Sequence, residues 1–468
     1  MISPMEKMLW LAAVLLGLSF STGVPTQDQP GRTTSEPMAA DRSISAALRQ
    51  VSAEHIRANI EKLASFGTRS TISAQDPASI AAGRGVGAAR EWIKSEFERY
   101  AKDCGGCLEV KTDAFTEPAA DRIPQPTDIA NVYAVLKGTD AENAKRIVLV
   151  TGHYDSRNSD ILDTKGDAPG ANDDASGAAV SLECARVLSK MKFPATIVFL
   201  TVAGEEQGLN GSHHFAKMAK DQGWNLEAVL NNDIVGGDKS AAQDHSVVRV
   251  FSEGLPAAAT EQDVRRIRAL GGENDSGSRQ LARYIADVAL AYKDEVGVAP
   301  VLVFRLDRYL RGGDHSAFNQ QGFTAVRFTE FREDFHHQHQ NVRTENGIEY
   351  GDLAKFVDFD YVAYVARLNA ATLASLASAP APPANVHLLT KDLENDSTLT
   401  WDASPGGRAV EYEVLWRATS SPEWEHVQKA GSAMRITMKL SKDNVIFAVR
   451  AVDAGGHQSL PIVPAPER

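Results

Sequence analysis

Thr196-Ile197-Val198-Phe199-Leu200-Thr201-Val202-Ala203-Gly204-Glu205-Glu206-Gln207-Gly208 is the stretch whose reading decides the fold. An apolar run of strand length ends in two adjacent acids and a glycine turn. That pattern predicts a buried strand delivering both carboxylates at its C-terminal end. In an open α/β sheet, ligands and chemistry collect at that edge. One acid can hold a metal ion there while its neighbour moves protons, although a bare Glu-Glu pair is as readily a solvated helix face.

Upstream, Arg146-Ile147-Val148-Leu149-Val150-Thr151-Gly152 is a second buried-strand run, and it ends in His153-Tyr154-Asp155-Ser156. A histidine and an aspartate two apart suit a ligating imidazole whose other ring N–H is held by the carboxylate. Next, Pro169-Gly170-Ala171-Asn172-Asp173-Asp174-Ala175-Ser176-Gly177 opens a helix running to about Lys190. Its acids fit a helix N-cap or a carboxylate bridging two cations. Downstream, Asn231-Asn232-Asp233-Ile234-Val235-Gly236-Gly237 offers a third strand-end carboxylate. Finally, His336, His337 and His339 bring three of the twelve histidines within four residues. Such clustering suits metal ligation, and the residues alone leave open which histidine ligates.

The ordered set is therefore His153, Asp173, Glu205-Glu206, Asp233 and one histidine of 336–339. Oxygen and imidazole ligands without thiolate suit zinc in an open, catalytic site. Five ligands, one bridging, suffice for two ions about 3.5–4 Å apart that activate a shared water and polarise a carbonyl. The acid left over is then the general base.

On Gly152-His153-Tyr154-Asp155-Ser156, Asn172-Asp173-Asp174-Ala175-Ser176-Gly177, Gly204-Glu205-Glu206-Gln207-Gly208 and Asn232-Asp233, residues 50–375 resemble the secreted dizinc aminopeptidases. That family also includes glutamate carboxypeptidase-like and glutaminyl cyclase-like members. The resemblance implies a zinc exopeptidase-like fold and two Zn(2+) ions. His153 and Asp233 would bind one ion, Glu206 and His339 the other, and Asp173 would bridge both. Glu205 would be the general acid/base acting on the two-zinc-bridged water, with Asp155 orienting His153. The Asp173–Asp174 peptide becomes a candidate non-proline cis bond. Two departures stand out. Arg343 replaces an acid in His339-Gln340-Asn341-Val342-Arg343-Thr344, which leaves His337 as the reserve ligand. Gly313-Asp314-His315-Ser316-Ala317-Phe318 carries Gly for Ser, and His315 is expected to line the cleft or support it from behind.

The resemblance implies a metal-dependent aminopeptidase acting on peptides with a free N-terminus. The alternatives are a zinc carboxypeptidase, a glutaminyl cyclase and a non-catalytic receptor-like relative. A carboxypeptidase needs a basic clamp, for which Arg305, Arg308 and Arg311 are candidates. The complete two-metal set speaks against a cyclase, and the filled ligand positions against a non-catalytic relative.

At the amino end, Lys7 and the run Met8–Leu18 are followed by Ser19-Phe20-Ser21, which reads as a cleaved signal peptide over 1–21. The run is too short to span a bilayer, so no stable membrane anchor is expected and the protein should be periplasmic or extracellular. In that compartment Cys104 and Cys107 could form a local disulfide, while Cys184 reads as a small buried residue. The net charge of −12 argues against nucleic acid as a partner.

Residues 22–45 are polar and aperiodic, and are expected to be a flexible spacer. From 46 to 376, strand-like runs at 129–137, 146–152, 195–203, 226–235, 246–251, 299–305 and 323–329 alternate with helical stretches. The latter include Glu54–Ala64, Val86–Ala101 and a closing helix at about 351–376. This predicts an α/β domain with a mixed, largely parallel sheet between helices. A Pro/Ala linker at 377–384 follows. Residues 385–468 resemble a fibronectin type III domain, a small all-β sandwich with Trp401 and Tyr412 at core positions and Trp416 and Trp424 read as packing residues.

Overall fold

A computed structural model describes residues 38–239 and 242–468; the expected signal peptide and residues 22–37 of the expected spacer lie outside the described residues. The rest of that spacer is not free. Met38 is buried, and Asp41 caps a helix at Arg42–Leu48 whose Ile44 and Leu48 enter the core.

Eight strands build the main sheet: β1 (Leu108–Glu117), β2 (Thr127–Leu136), β3 (Arg146–His153), β4 (Thr196–Val202), β5 (Asn225–Asn232), β6 (Val247–Ser252), β7 (Ala299–Val303) and β8 (Ala325–Glu330). Their spatial order is β1-β2-β4-β3-β5-β8-β6-β7. The four central strands β4-β3-β5-β8 run parallel, whereas β1/β2, β2/β4 and β8/β6 pair antiparallel. The C-terminal ends of β3, β4, β5 and β8 therefore share one edge, and the acids and histidines singled out above follow those ends.

Both faces of this sheet are covered, which is why its strands read as continuous apolar runs. Alternation divides each strand between two cores. Val148 and Val150 of β3 join the cluster beneath the helices Ala53–Ala64, Val86–Asp103, Ala175–Leu188, Gly277–Ala291 and Phe359–Ser378. Leu149 faces the other way, toward Phe215 and Phe318 of the helices Asn210–Asp221 and His315–Gln320. The closing helix begins at Phe359, later than its expected start near 351, because Asp358 caps it. Strand β1 was not among the expected runs: its outer positions are Glu, Lys and Thr, as suits a half-exposed edge.

Close approach of backbone fixes the edge near the acids. A methyl group on Gly152, at the end of β3, would lie 2.3 Å from the carbonyl carbon of Gly177 in the helix that follows Asp174. Only glycines let that strand and helix meet so closely.

The carboxyl-terminal strands form two sheets. Ala384–Leu389, Ser397–Asp402, Arg435–Met438 and Ala465–Glu467 make one, and Ala409–Ala418, His426–Gly431 and Val445–Asp453 the other. Val386, Leu399 and Trp401 of the first pack on Tyr412, Val414, Trp416 and Phe447 of the second. The sandwich also grips the main domain. Buried Arg417 pairs with Asp275 at 2.6 Å, and the Trp424 indole donates to Gln280 at 3.2 Å. Cys104 and Cys107 are disulfide-bonded, and Cys184 is buried and free.

Candidate metal centre and catalytic cleft

The sheet edge assembles the residues that the sequence scatters over nearly two hundred positions. His153 ends β3, Asp173 lies in the loop before the helix Ala175–Leu188, and Glu205-Glu206 open a single helical turn after β4. Asp233 follows β5, and His339 lies in the loop beyond β8. Two groups of ligand-type atoms result, His153/Asp173/Asp233 and Asp173/Glu206/His339, each with its atoms within 4.8 Å of one another.

Asp173 belongs to both groups through different oxygens. Oδ1 lies 3.1 Å from His153 Nε2, and Oδ2 lies 2.9 Å from His339 Nε2. His153 Nε2 is 3.9 Å from Asp233 Oδ1, and His339 Nε2 is 3.2 Å from Glu206 Oε1. The Asp173–Asp174 peptide is cis. Asp174 turns inward, where its carboxylate accepts from the amides of His153 and Gly177.

His153 Nε2 and Glu206 Oε1 are buried without a hydrogen-bond partner. They approach other polar atoms closely but without hydrogen-bond alignment, as donors converging on a common cation do. The acids also repel one another. Burial, with the like charges of Asp233 and Glu206, pushes the Glu205 carboxyl well above its ordinary range despite the nearby His153 ring. Burial pulls the His339 imidazole down, but Glu206 and Asp173 outweigh it and lift the ring to about 10. Asp173 would rise on burial, yet His339 and His153 hold it well below the usual carboxylate range. A divalent cation in each group would relieve this crowding, and the oxygen and imidazole donors suit zinc. The residues therefore fit two such ions.

Asp155 does more than face His153. His153 Nδ1 lies 3.2 Å from the Asp155 carbonyl and 3.4 Å from its carboxylate. The same carboxylate accepts from Thr71 Oγ1 at 2.8 Å, from the Glu206 amide at 3.2 Å and from the Glu205 amide at 3.4 Å. It caps the turn that carries the Glu pair, joining β3 to β4 at the active edge.

Glu205, Glu206, Asp173, Asp233 and His339 line one open cavity of about 580 Å³. His337 does not belong to it: its Nδ1 pairs with Asp238 at 2.5 Å and its ring stacks on Phe356. His336 is exposed and pairs with Asp334. His315 is fully buried and its Nε2 meets the Leu306 carbonyl, so it backs the loop and does not line the cleft. Asp314 occupies a helix N-cap position without making a capping bond. Burial, reinforced by Asp233 and Asp155, pushes its carboxyl up to about 7 against the pull of His153 and Ser212. Of the three expected clamp arginines, Arg308 and Arg311 line the cavity, whereas Arg305 lies over Tyr309.

Several supports escaped the sequence reading. Asp352 accepts from the amides of Asn172 and Asp173 at 2.8 and 2.7 Å, fixing the shared ligand. Gln338 donates to Asp173 Oδ2 at 3.1 Å. Buried Arg327 meets Asp233 at 2.9 Å and Asp307 at 3.1 Å. Buried Arg69 donates to the carbonyls of Tyr154, Leu63, Pro169 and Gly170. No periodicity or motif marks these residues, because nearly all their partners are distant in sequence.

Residues 131–358, a span containing all five ligand-type residues and Glu205, match the family model described as peptidase family M28. A probable zinc metalloprotease of Pyrenophora teres f. teres is 46% identical over 435 residues, covering 92% of this chain and 88% of that protein. One from Leptosphaeria maculans is 44% identical over 431 residues, covering 92% and 98%. Among solved structures, the LapA aminopeptidase of Legionella pneumophila has a similar fold, with TM-score 0.50 and 22% identity over 73% of this chain and 76% of that one. LapB from the same organism gives TM-score 0.50 at 18% identity, again over 73% and 76%.

Proposed function

This chain belongs to peptidase family M28, and from that premise we propose that it is an exported zinc aminopeptidase that removes N-terminal residues from peptides. The observation that carries the reading is the division of labour at the sheet edge. Two ligand groups share Asp173, while Glu205 lines the same cavity and belongs to neither.

His153 and Asp233 would hold one zinc ion and Glu206 and His339 the other, with Asp173 common to both. Zinc bound there supplies Lewis acidity toward water and the scissile carbonyl. Glu205 takes the proton of the attacking water and delivers it to the leaving amine, a role its place in the cavity outside both ligand groups allows. Asp155 and Thr71 hold Glu205 and the His153 ring in register. Asp352 and Gln338 fix Asp173.

The arginines first considered as a carboxylate clamp are already committed: Arg308 and Arg311 pair with Glu333 at 2.8 and 3.0 Å. That removes Arg308 and Arg311 as the clamp a carboxypeptidase needs. The signal-like residues 1–21 and the Cys104–Cys107 disulfide support export. Among the described residues no helix is long and apolar enough to cross a membrane. We read residues 385–468 as a fibronectin type III-like accessory domain.

The test is a panel of aminoacyl anilides, N-acetylated peptides and C-terminally amidated peptides, assayed before chelation, after it and after zinc restoration. Activity that requires a free N-terminus, tolerates the amide and returns with zinc supports the reading. Cleavage of N-acetylated peptides from the carboxyl end would replace it.

A further inference from the structure

The cavity carries more positive charge than its ligand chemistry uses. Arg122, Arg157, Arg308 and Arg311 all line it. Arg308 is saturated by Asp307, Glu333 and the Gly312 carbonyl, and Arg311 shares Glu333. Arg122 and Arg157 differ. Arg122 donates to the Glu206 carbonyl at 3.2 Å, and Arg157 to the carbonyls of Asn158 and Ser159. Among the described residues, neither makes an ion pair with a carboxylate.

The four carboxylates in the cavity are not available to balance them. Asp173, Glu206 and Asp233 belong to the ligand groups, and Glu205 is assigned to proton transfer. Two divalent ions would cancel the charge of all four, leaving the two guanidinium groups facing the substrate space uncompensated. A guanidinium presents paired N–H donors that match a carboxylate in shape as well as charge. Leu209, Ile234 and Phe335 are the large apolar residues of the lining.

We infer that Arg122 and Arg157 form an anion subsite, and that the preferred substrates are peptides carrying a carboxylate near the scissile bond. The inference rests on the zinc aminopeptidase reading and names its substrate class. The carboxylate can come from an acidic side chain or from the free carboxyl end of a short peptide, and both present the same chemistry to the arginines.

The test compares isosteric pairs with the full-length zinc-loaded enzyme. Glutamyl and glutaminyl anilides probe the side-chain source, and dipeptides against their C-terminal amides probe the main-chain source. The wild type should favour the charged member of at least one pair in kcat/KM by about tenfold, mostly through KM. Arg122→Gln/Arg157→Gln should bring that ratio toward one, and Arg157→Lys should recover part of it. Inhibition by succinate should weaken in the double variant by a similar factor, with zinc content and thermal midpoint checked alongside. Ratios near one for both pairs in the wild type, or a preference untouched by the double substitution, would overturn the subsite. Cleavage only of N-acetylated peptides would instead overturn the aminopeptidase reading, and the dipeptide and succinate comparisons would still report on the arginines.

Discussion

Arg327 and Asp233 face each other at 2.9 Å in a fully buried contact, and the same guanidinium reaches Asp307 at 3.1 Å and the Gly312 carbonyl at 2.8 Å. One side chain thus ties a proposed metal ligand to the loop that carries Arg308 and Arg311. Removing a buried charge leaves its partners unpaired, at a cost of roughly 3–5 kcal/mol. Arg327→Met should lower the denaturant midpoint accordingly, and Arg327→Lys should recover only part, because an ammonium cannot span both carboxylates. An unchanged midpoint for the methionine variant would show that the pair contributes nothing to folding.

Glu205→Gln should keep its full zinc content, since Glu205 lies outside both ligand groups. Turnover of an aminoacyl anilide should fall by about two orders of magnitude or more, the scale of general acid–base catalysis. Turnover near that of the wild type would remove Glu205 from its role.

His339→Ala and His337→Ala separate two histidines that are neighbours in sequence and apart in space. The first should lose one of two zinc equivalents in elemental analysis. The second should keep both and lose about 1 kcal/mol of stability with its Asp238 contact. Full zinc loading in His339→Ala would move the assignment elsewhere.

Asp287 gives a pH signature away from the cleft. Burial, aided by Glu423 and opposed by Arg450, raises its carboxyl from 3.8 to about 6. The folded state therefore holds the proton more tightly, and stability falls as pH rises from about 4 to about 6. The loss is complete above that window. Asp287→Asn should raise the thermal midpoint at pH 8, by an amount corresponding to about 1–2 kcal/mol, and leave it unchanged at pH 4. An equal gain at both pH values would exclude titration as the cause.

Deleting residues 384–468 strips Arg417 from Asp275 and Trp424 from Gln280, and opens the Arg283 contact with the Pro422 carbonyl. The truncated enzyme should retain anilide hydrolysis when cold and melt at a temperature lower by roughly 5 °C or more. An unaltered midpoint would make the sandwich a passenger.

The central strands were legible because burial on both faces writes itself as an apolar run, as in Thr196–Val202. The acids and histidines were legible because they follow strand ends in order. Edge strand β1 was not, since half its positions face water and its charged residues mask the pattern. Nor were Arg327, Asp352 and Gln338, whose importance lies in contacts across the sheet edge that leave no local trace. The histidine cluster shows the same limit. Three similar residues in four positions were separated only by the chain's turn at His339, where φ is 55°, which sends its ring into the cleft while His337 stacks on Phe356.

The Asp155 carboxylate has one last consequence. The proposed zinc-holding imidazole and the proposed proton carrier belong to adjacent strands, and strand spacing alone would let them drift with every breathing motion of the sheet. Because one carboxylate touches the ring on one side and the amides of Glu205 and Glu206 on the other, the gap between them is gauged by a single rigid side chain. The tolerance of the reaction geometry is then set by three contacts of 3.4, 3.4 and 3.2 Å made by one buried side chain.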